Sequence, residues 1–147
     1  MASKSTKEPW EIGAADFGKS LTGLGINLLV SNVENTLRFS EKVLAARAVY
    51  WNQDFAVLRN NEAQWMLHAD HTYDNHPLLG FVMEQEGRGQ GVELQLFNQD
   101  PDAAEARAHN NDYIVLAGSA DKPHGLRECC ILDPDGYCWV LSRPLAD

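Results

Sequence analysis

Three histidines lie close together near the middle of the chain, with two aspartates between them. They are His68, His71 and His76. Imidazole and carboxylate groups bind divalent metal ions, so this segment is one candidate metal site. Asn75 and Pro77 favour a loop here. The alternative is therefore that the histidines are polar loop residues, at the rim of a cleft or at a subunit contact.

A second group of polar residues alternates with apolar ones over residues 92–97. Successive residues of a strand point to opposite faces, so Glu93 and Gln95 are predicted to share the face opposite Leu94 and Leu96. If that face lines a cleft, the Glu93 carboxylate could attract a cation or act as a general base. The alternative is an ordinary strand residue that faces solvent.

Aromatic side chains on or beside the predicted strands supply flat surfaces for a ligand. Each of them is predicted either to line a cleft or to pack in the core. His124 follows a proline in a polar segment and could close over a ligand. The ligand-binding residues predicted from both sets are Trp51, Phe55, Trp65, Glu93, Gln95, Phe97, Tyr113, Trp139 and His124, with Tyr73 and Phe81 as further aromatic candidates.

The composition limits the partners. The 147 residues include 12 basic and 21 acidic ones, a net charge of −9, and 44% are hydrophobic. These values are typical of one globular domain. An acidic surface repels nucleic acid, and no apolar stretch approaches the roughly 20 residues of a membrane span. A neutral or cationic small molecule is the predicted partner.

The three cysteines are an odd number and do not form an even framework of disulfide pairs. Cys129 and Cys130 are adjacent and would point to opposite faces of a strand, and Cys138 completes no metal-binding spacing. The first residues lack the apolar core of a secretion signal. These features predict a cytoplasmic protein with three reduced, buried thiols.

Hydrophobic spacing and turn residues predict an N-terminal arm over residues 1–21, mostly extended, followed by alternating elements. The intervals between Trp10, Ile12 and Phe17 could let this arm dock on the domain. Residues 68–77 are predicted as a loop. Helices are predicted over residues 33–46 and 103–110. Strands are predicted over residues 25–30, 48–52, 55–59, 64–68, 92–97, 112–116, 126–132 and 137–142, with a further strand around 78–84.

The two halves of this pattern match each other. Residues 26–35 align with residues 94–103 at an offset of 68, and Trp65-Met-Leu-His aligns with Trp139-Val-Leu-Ser at an offset of 74. Such self-similarity indicates a repeated unit. It predicts an α+β fold of two tandem βαβββ modules, about residues 22–70 and 78–145, whose curved mixed sheets surround a cleft.

Three segments give the chain a family resemblance. They are the strand-to-helix passage at 28–39, its counterpart at 96–104, and the closing Ile-Leu-Asp-Pro-Asp-Gly-Tyr-Cys-Trp-Val-Leu at 131–141. In this order they resemble the vicinal oxygen chelate superfamily, which includes glyoxalase I, extradiol dioxygenases and bleomycin-resistance proteins. The resemblance covers residues 22–145 and implies one domain of that type.

The resemblance also implies a divalent metal held by the first and last strands of each module. The corresponding positions are Gly25, Met66, Glu93 and Val140. Only Glu93 could bind such an ion, so we expect no metal cofactor, with a divalent metal as the alternative. If the alignment is shifted by two residues, Asn27 and Gln95 take the first-strand positions. The last-strand positions then fall on Gln64 or His68 and on Cys138 or Ser142.

Metal-free bleomycin-resistance proteins are the members most similar in character. The resemblance therefore implies a homodimeric binding protein that sequesters an aromatic or cationic compound. One alternative is a lyase, isomerase or dioxygenase of the superfamily, with a divalent metal or with Glu93 as general base. Another is an interaction module whose cleft is closed by its own side chains.

Overall fold

The computed structural model describes residues 13–83 and 87–147, which belong to two compact units. The first unit consists of residues 1–41 and 45–83, and the second of residues 42–44 and 84–147. Within the described ranges, no helix has both the length and the apolar character that crossing a membrane requires.

The first unit contains one four-stranded mixed sheet in the order β1-β4-β3-β2. Strand β1 runs parallel to β4, and the other neighbours are antiparallel. Its elements are α1 (Ala14–Ser20), β1 (Asn27–Val30), α2 (Val33–Lys42, whose last residue belongs to the second unit), β2 (Arg47–Trp51), β3 (Phe55–Asn60), β4 (Ala63–Ala69), a 3-10 turn (Asp70–Tyr73) and α3 (Pro77–Val82).

The second unit repeats this topology, with the strand order β5-β8-β7-β6 and β5 parallel to β8. Its elements are β5 (Glu93–Phe97), α4 (Pro101–Asn110), β6 (Ile114–Asp121), β7 (Leu126–Leu132) and β8 (Cys138–Pro144). The prediction of an α+β fold with two tandem βαβββ modules is therefore confirmed.

Strand register also agrees with the two offsets found in the sequence. Pairs of Cα partners across β1 and β4 recur across β5 and β8. The equivalent pairs are Asn27–Met66 with Gln95–Val140, and Leu29–His68 with Phe97–Ser142. Equivalent residues of the two halves thus occupy equivalent places in their sheets.

Local signals explain where the two main helices begin. The Asn32 side chain accepts a hydrogen bond from the Asn35 amide at 2.9 Å, just before the first turn of α2. The Asp100 carboxylate caps α4 by accepting from the amides of Asp102 at 3.0 Å and Ala103 at 3.3 Å. Such caps satisfy amides that have no partner within the helix.

The face of each sheet that lies towards its crossover helix forms the core. In the first unit, α2 follows β1 directly and buries Leu37 and Phe39, and the strand residues of this face are almost completely buried. In the second unit, Cys129 on β7 lies 3.5 Å from the carbonyl oxygen of Pro101 at the start of α4.

Asp133 organises the hairpin turn between β7 and β8. Its carboxylate accepts hydrogen bonds from the amides of Asp135 and Tyr137, both at 3.0 Å, and from Trp139 Nε1 at 3.4 Å. Gly136 supplies the positive φ, 95°, that completes the turn. Burial raises the pKa of the Asp133 carboxyl to about 6, against the effect of these donors.

Two sequence predictions of local structure are wrong. The arm is helical over Ala14–Ser20, and its residues 1–12 lie outside the described residues. The strand expected at 78–84 is helix α3, which begins at Pro77, while residue 84 lies outside the description. Pro77 fits the first position of a helix, and His76 Nδ1 accepts from the Leu78 amide at 3.0 Å.

The cysteine prediction is also wrong for two of the three thiols. Cys130 and Cys138 form a disulfide between the neighbouring strands β7 and β8. Their pairing was not predicted, because side chains on adjacent strands meet only through the register of the sheet. Cys129 is a free, buried thiol whose pKa is raised to about 11 by burial.

Candidate functional site

A group of polar and aromatic side chains lies on the face of the first sheet opposite α2. We call Asn27, Phe55, His68 and Tyr73 the His68 cluster. Across the sheet, His68 is the Cα partner of Phe55 on β3 and of Leu29 on β1. Cα partners on neighbouring strands point to the same face, and so do residues two apart, so Asn27 belongs to this face as well. Tyr73 comes from the 3-10 turn after β4.

Hydrogen bonds in the cluster determine which ring nitrogen of His68 carries a proton. Asn27 Nδ2 donates to the Tyr73 hydroxyl at 2.9 Å, and Asn27 Oδ1 is hydrogen-bonded to His68 Nδ1. Because an amide oxygen can only accept, Nδ1 must carry the proton. In the neutral ring, His68 Nε2 is then an acceptor, and none of the described residues is hydrogen-bonded to it.

Aromatic rings hold the imidazole on two sides. The ring centroids of Phe55 and His68 are 4.7 Å apart, and those of His68 and Tyr73 are 5.6 Å apart with an edge-to-face orientation. Burial lowers the pKa of His68 below its ordinary value of 6.5. A charged imidazolium is less favourable in this half-buried position, so the neutral ring dominates at pH 7.

A packed group of apolar side chains adjoins the cluster on the same face. Phe17 of α1 packs against Val49 and Val57, with Phe55 and Met66 at the border of the group. We call these contacts the Phe17 pocket. Phe55 belongs to both the pocket and the His68 cluster, so the two form one continuous surface.

A groove lies beside Tyr73, one member of the cluster. It has a volume of about 460 Å³ and is lined by residues 71–77, including Tyr73 and His76. The ring of His76 lies 4.8 Å from that of Tyr73. A small molecule in this groove would therefore meet the aromatic surface next to His68.

The residues at the expected metal positions do not fit a divalent ion. Gly25 precedes β1 and has no ligand atom, and Met66 and Val140 offer none that a hard or borderline cation prefers. The shifted position Cys138 is in the disulfide. Among residues 13–83 and 87–147, no three His, Cys, Asp or Glu side chains are grouped as metal ligands would be.

The alternative metal site at three histidines is wrong. His68 is bonded to Asn27, His71 Nε2 lies 2.6 Å from Asp54 Oδ1, and His76 Nδ1 accepts from the Leu78 amide. The three imidazoles thus have three different partners. Sequence spacing alone does not show these partners.

Three of the predicted ligand-binding aromatics are core residues. Trp51, Trp65 and Trp139 are almost completely buried and lie on the faces that pack towards the helices. The prediction that they line a cleft is wrong, and the stated alternative of core packing holds for them. The alternation in β3 and β4 places Phe55 and His68, not the tryptophans, on the other face.

The remaining predicted residues lie in the second unit and are mostly exposed. Gln95 Nε2 donates to Glu93 Oε1 at 3.2 Å, on an open part of the sheet. Phe97 is 56% exposed. His124 is exposed and lies 3.3 Å from Glu128, and Tyr113 is half-buried just before β6. The structure does not bring these residues into one cluster.

Sequence reasoning missed the partnership of Asn27 with Tyr73 and the position of Phe17. Asn27 appeared only as a ligand in the shifted register, and His68 there and in the three-histidine site, although their shared polarity on neighbouring strands was a usable signal. The spacing of Trp10, Ile12 and Phe17 indicated that the arm could dock on the domain, but it does not reveal what Phe17 covers.

No protein-family model matches the sequence, and no curated protein matches it either. Solved structures do match. A glyoxalase/bleomycin resistance protein/dioxygenase from Nocardioides has 17% identity and a TM-score of 0.62, over 89% of this chain and 91% of that one. A glyoxalase-related enzyme from Fulvimarina pelagi has 18% identity and a TM-score of 0.65, over 84% and 88%.

A glyoxalase/bleomycin resistance protein/dioxygenase family enzyme from Burkholderia phytofirmans PsJN has a TM-score of 0.68 at 13% identity, over 82% of this chain and 96% of that one. Identities this low establish the architecture but not the chemistry, because one fold can carry many activities. The chain has the fold of the vicinal oxygen chelate superfamily, as its sequence resemblance predicted.

Proposed function

We propose that this chain is a small-molecule binding protein whose ligand binds at the His68 cluster without a metal. The ligand is a neutral or cationic aromatic compound with an O–H or N–H donor. One observation carries the proposal: a neutral imidazole is held between two aromatic rings, and its Nε2 acceptor has no hydrogen-bond partner among the described residues.

The chemistry of the surface supports this ligand class. Phe55 and Tyr73 offer aromatic faces and edges to a planar ring, and His68 Nε2 offers one acceptor of fixed direction. The net charge of −9 favours the approach of a cation over that of an anion. Such binding would serve to sequester a compound, which needs affinity but no reaction.

Phenol and toluene form a matched pair of probes for this proposal, since only phenol can donate a hydrogen bond. We expect phenol to bind more tightly than toluene by roughly fivefold, the value of one ordinary hydrogen bond. Chemical-shift changes at His68 in NMR titrations would locate the site, and the same titrations give the dissociation constants.

His68→Phe keeps a flat ring and removes the acceptor, so this variant should bind phenol no better than toluene. His109→Phe is the matched control, because His109 is exposed on α4 in the second unit, where its Nε2 lies 3.6 Å from Glu105 Oε2. The proposal fails if phenol has no advantage over toluene in the native protein, or if His68→Phe leaves that advantage unchanged.

Proton abstraction is a second candidate function, and the same Nε2 atom favours it. A neutral imidazole with a lowered pKa is able to accept a proton near pH 7. Phenylacetone offers an aromatic ring and acidic C–H bonds. NMR in D2O would follow the exchange of deuterium into phenylacetone. Exchange that the native protein catalyses and that His68→Phe does not would indicate an enzyme.

A further inference from the structure

Within the described part of the chain, helix α1 buries one side chain against the first sheet. Phe17 is 6% exposed, and it is the only residue of Ala14–Ser20 that is buried. The aromatic ring therefore accounts for the apolar contact of this helix with the sheet. Short segments with so few buried contacts are the parts of a protein that open most easily.

Two glycines and an exposed connection flank α1 within the described residues. Gly13 precedes the helix with a φ of 77° and provides no side-chain cap. After the helix, residues 21–25 are exposed, and Leu24 is 91% exposed. Gly23, with a φ of 71°, lies in this connection. The helix can therefore be displaced without breaking the sheet.

Phe17 packs next to the His68 cluster, against residues of the same sheet face. The pocket around it is formed by Val49 and Val57, with Phe55 and Met66 at its border. The ring of Phe55 also contacts the His68 imidazole, at 4.7 Å between centroids. The pocket that holds the Phe17 ring and the surface that offers the Nε2 acceptor thus share one wall.

We infer that the Phe17 pocket is the apolar compartment of the ligand site, and that α1 closes it by placing the Phe17 ring where a ring of the ligand binds. This inference rests on the proposed function. The ligand class becomes narrower: a phenyl-sized ring enters the pocket, and a donor on the ring reaches towards His68. Binding then requires α1 to lift.

A site that is open in only a fraction of molecules shows an affinity reduced by that fraction. Substitutions that change the stability of α1, without touching the pocket, must therefore change the affinity for phenol. Gly18 provides them, because it lies within α1, is exposed, and has no atom within 4 Å of where a Cβ would be.

Gly18→Ala favours the helix, and we expect it to weaken phenol binding by about fivefold. Gly18→Pro disrupts the helix but keeps the Phe17 ring, and we expect phenol to bind at least about tenfold more tightly. Leu24→Ala is the control, since Leu24 is exposed and should leave the affinity unchanged. NMR titration with phenol gives the dissociation constants of the native protein and of the three variants.

A second measurement follows α1 directly in the native chain. Lys19 is exposed within the helix, and trypsin needs an unfolded segment to cleave after it. Saturating phenol should accelerate cleavage after Lys19, identified by mass spectrometry, if the ligand displaces the helix.

The outcomes separate the two proposals. If His68→Phe abolishes the phenol advantage but both Gly18 variants bind like the native protein, the closing role of α1 is overturned and the binding function stands. Slower or unchanged cleavage after Lys19 also overturns it. If none of the proteins binds phenol, both proposals fail.

Discussion

The two units share strand order and register but carry different side chains on the face away from the crossover helix. In the first unit that face holds Asn27, Phe55 and His68. The equivalent positions in the second unit are Gln95, Glu128 and Ser142. The first set combines rings with a neutral base, and the second offers an amide, a carboxylate and a hydroxyl.

The two faces also differ in what covers them. In the first unit, Phe17 and Tyr73 pack over the strands. In the second, large apolar side chains on the outer strands are exposed, including Phe97 at 56% and Ile114 at 62%. Both halves therefore have the same scaffold, and the first half in addition holds aromatic rings next to a polar group.

The largest expected effect is a loss of folding stability on substitution of a core residue that the two units share. Leu67 and Leu141 are equivalent, fully buried core residues on β4 and β8. We expect replacement of either one by alanine to reduce the free energy of unfolding by about 2–5 kcal/mol, through lost contacts and a remaining cavity. Urea denaturation measures both variants. Effects of very different size would show that the two cores are not equivalent.

A smaller effect concerns Asp133, a buried carboxyl in the turn between β7 and β8, because the buried polar residue at the corresponding turn of the first unit is an uncharged amide, Asn60. The pKa of Asp133 is raised from 3.8 to about 6 in the folded protein. The folded state therefore binds more protons between these values, and the contribution of Asp133 to stability is present below pH 4 and is lost as the pH rises through 6. The loss is at most about 3 kcal/mol.

The difference in unfolding free energy between native protein and Asp133→Asn should accordingly fall from pH 4 to pH 7. Denaturation curves at several pH values measure it. Glu62→Gln is the matched control, because Glu62 is exposed in the turn between β3 and β4. A difference for Asp133→Asn that rises with pH would show that the three donors outweigh burial.

The smallest expected effect concerns Glu93, the catalytic residue proposed from sequence. Its carboxylate is exposed and accepts from Gln95 in the second unit. We expect Glu93→Gln to change the phenol affinity less than about twofold and the stability by less than about 0.5 kcal/mol. Calorimetric titration and urea denaturation measure these values. A large loss of binding would move the ligand site to the second unit.

Much of the fold was predictable because its signals are local. Alternation identified β5, the Asp100 cap with Pro101 identified α4, and the internal repeat identified the topology. Helix α3 was missed because a short apolar run fits a strand or a helix equally well. The disulfide was missed because it depends on which residues face each other across β7 and β8.

The candidate site was less predictable, although most of its members were named. Phe55, His68 and Tyr73 appeared in different predicted roles, as a ligand-binding aromatic, a possible metal ligand and a further aromatic. The tryptophans were predicted to bind a ligand on the same ground, their aromatic side chains, but they belong to the core. Which aromatic faces which side depends on the exact phase of each strand, and a shift of one residue reverses it.

The amino-acid sequence by itself determined the two-module topology, the acidic charge and the register of the repeat, because periodicity, caps and turns act over a few residues. Only the tertiary structure decided that Asn27, His68 and Tyr73 form one network and that Phe17 covers its apolar side. These residues are far apart in the chain, and the pairing of β1 with β4 and the docking of α1 bring them together.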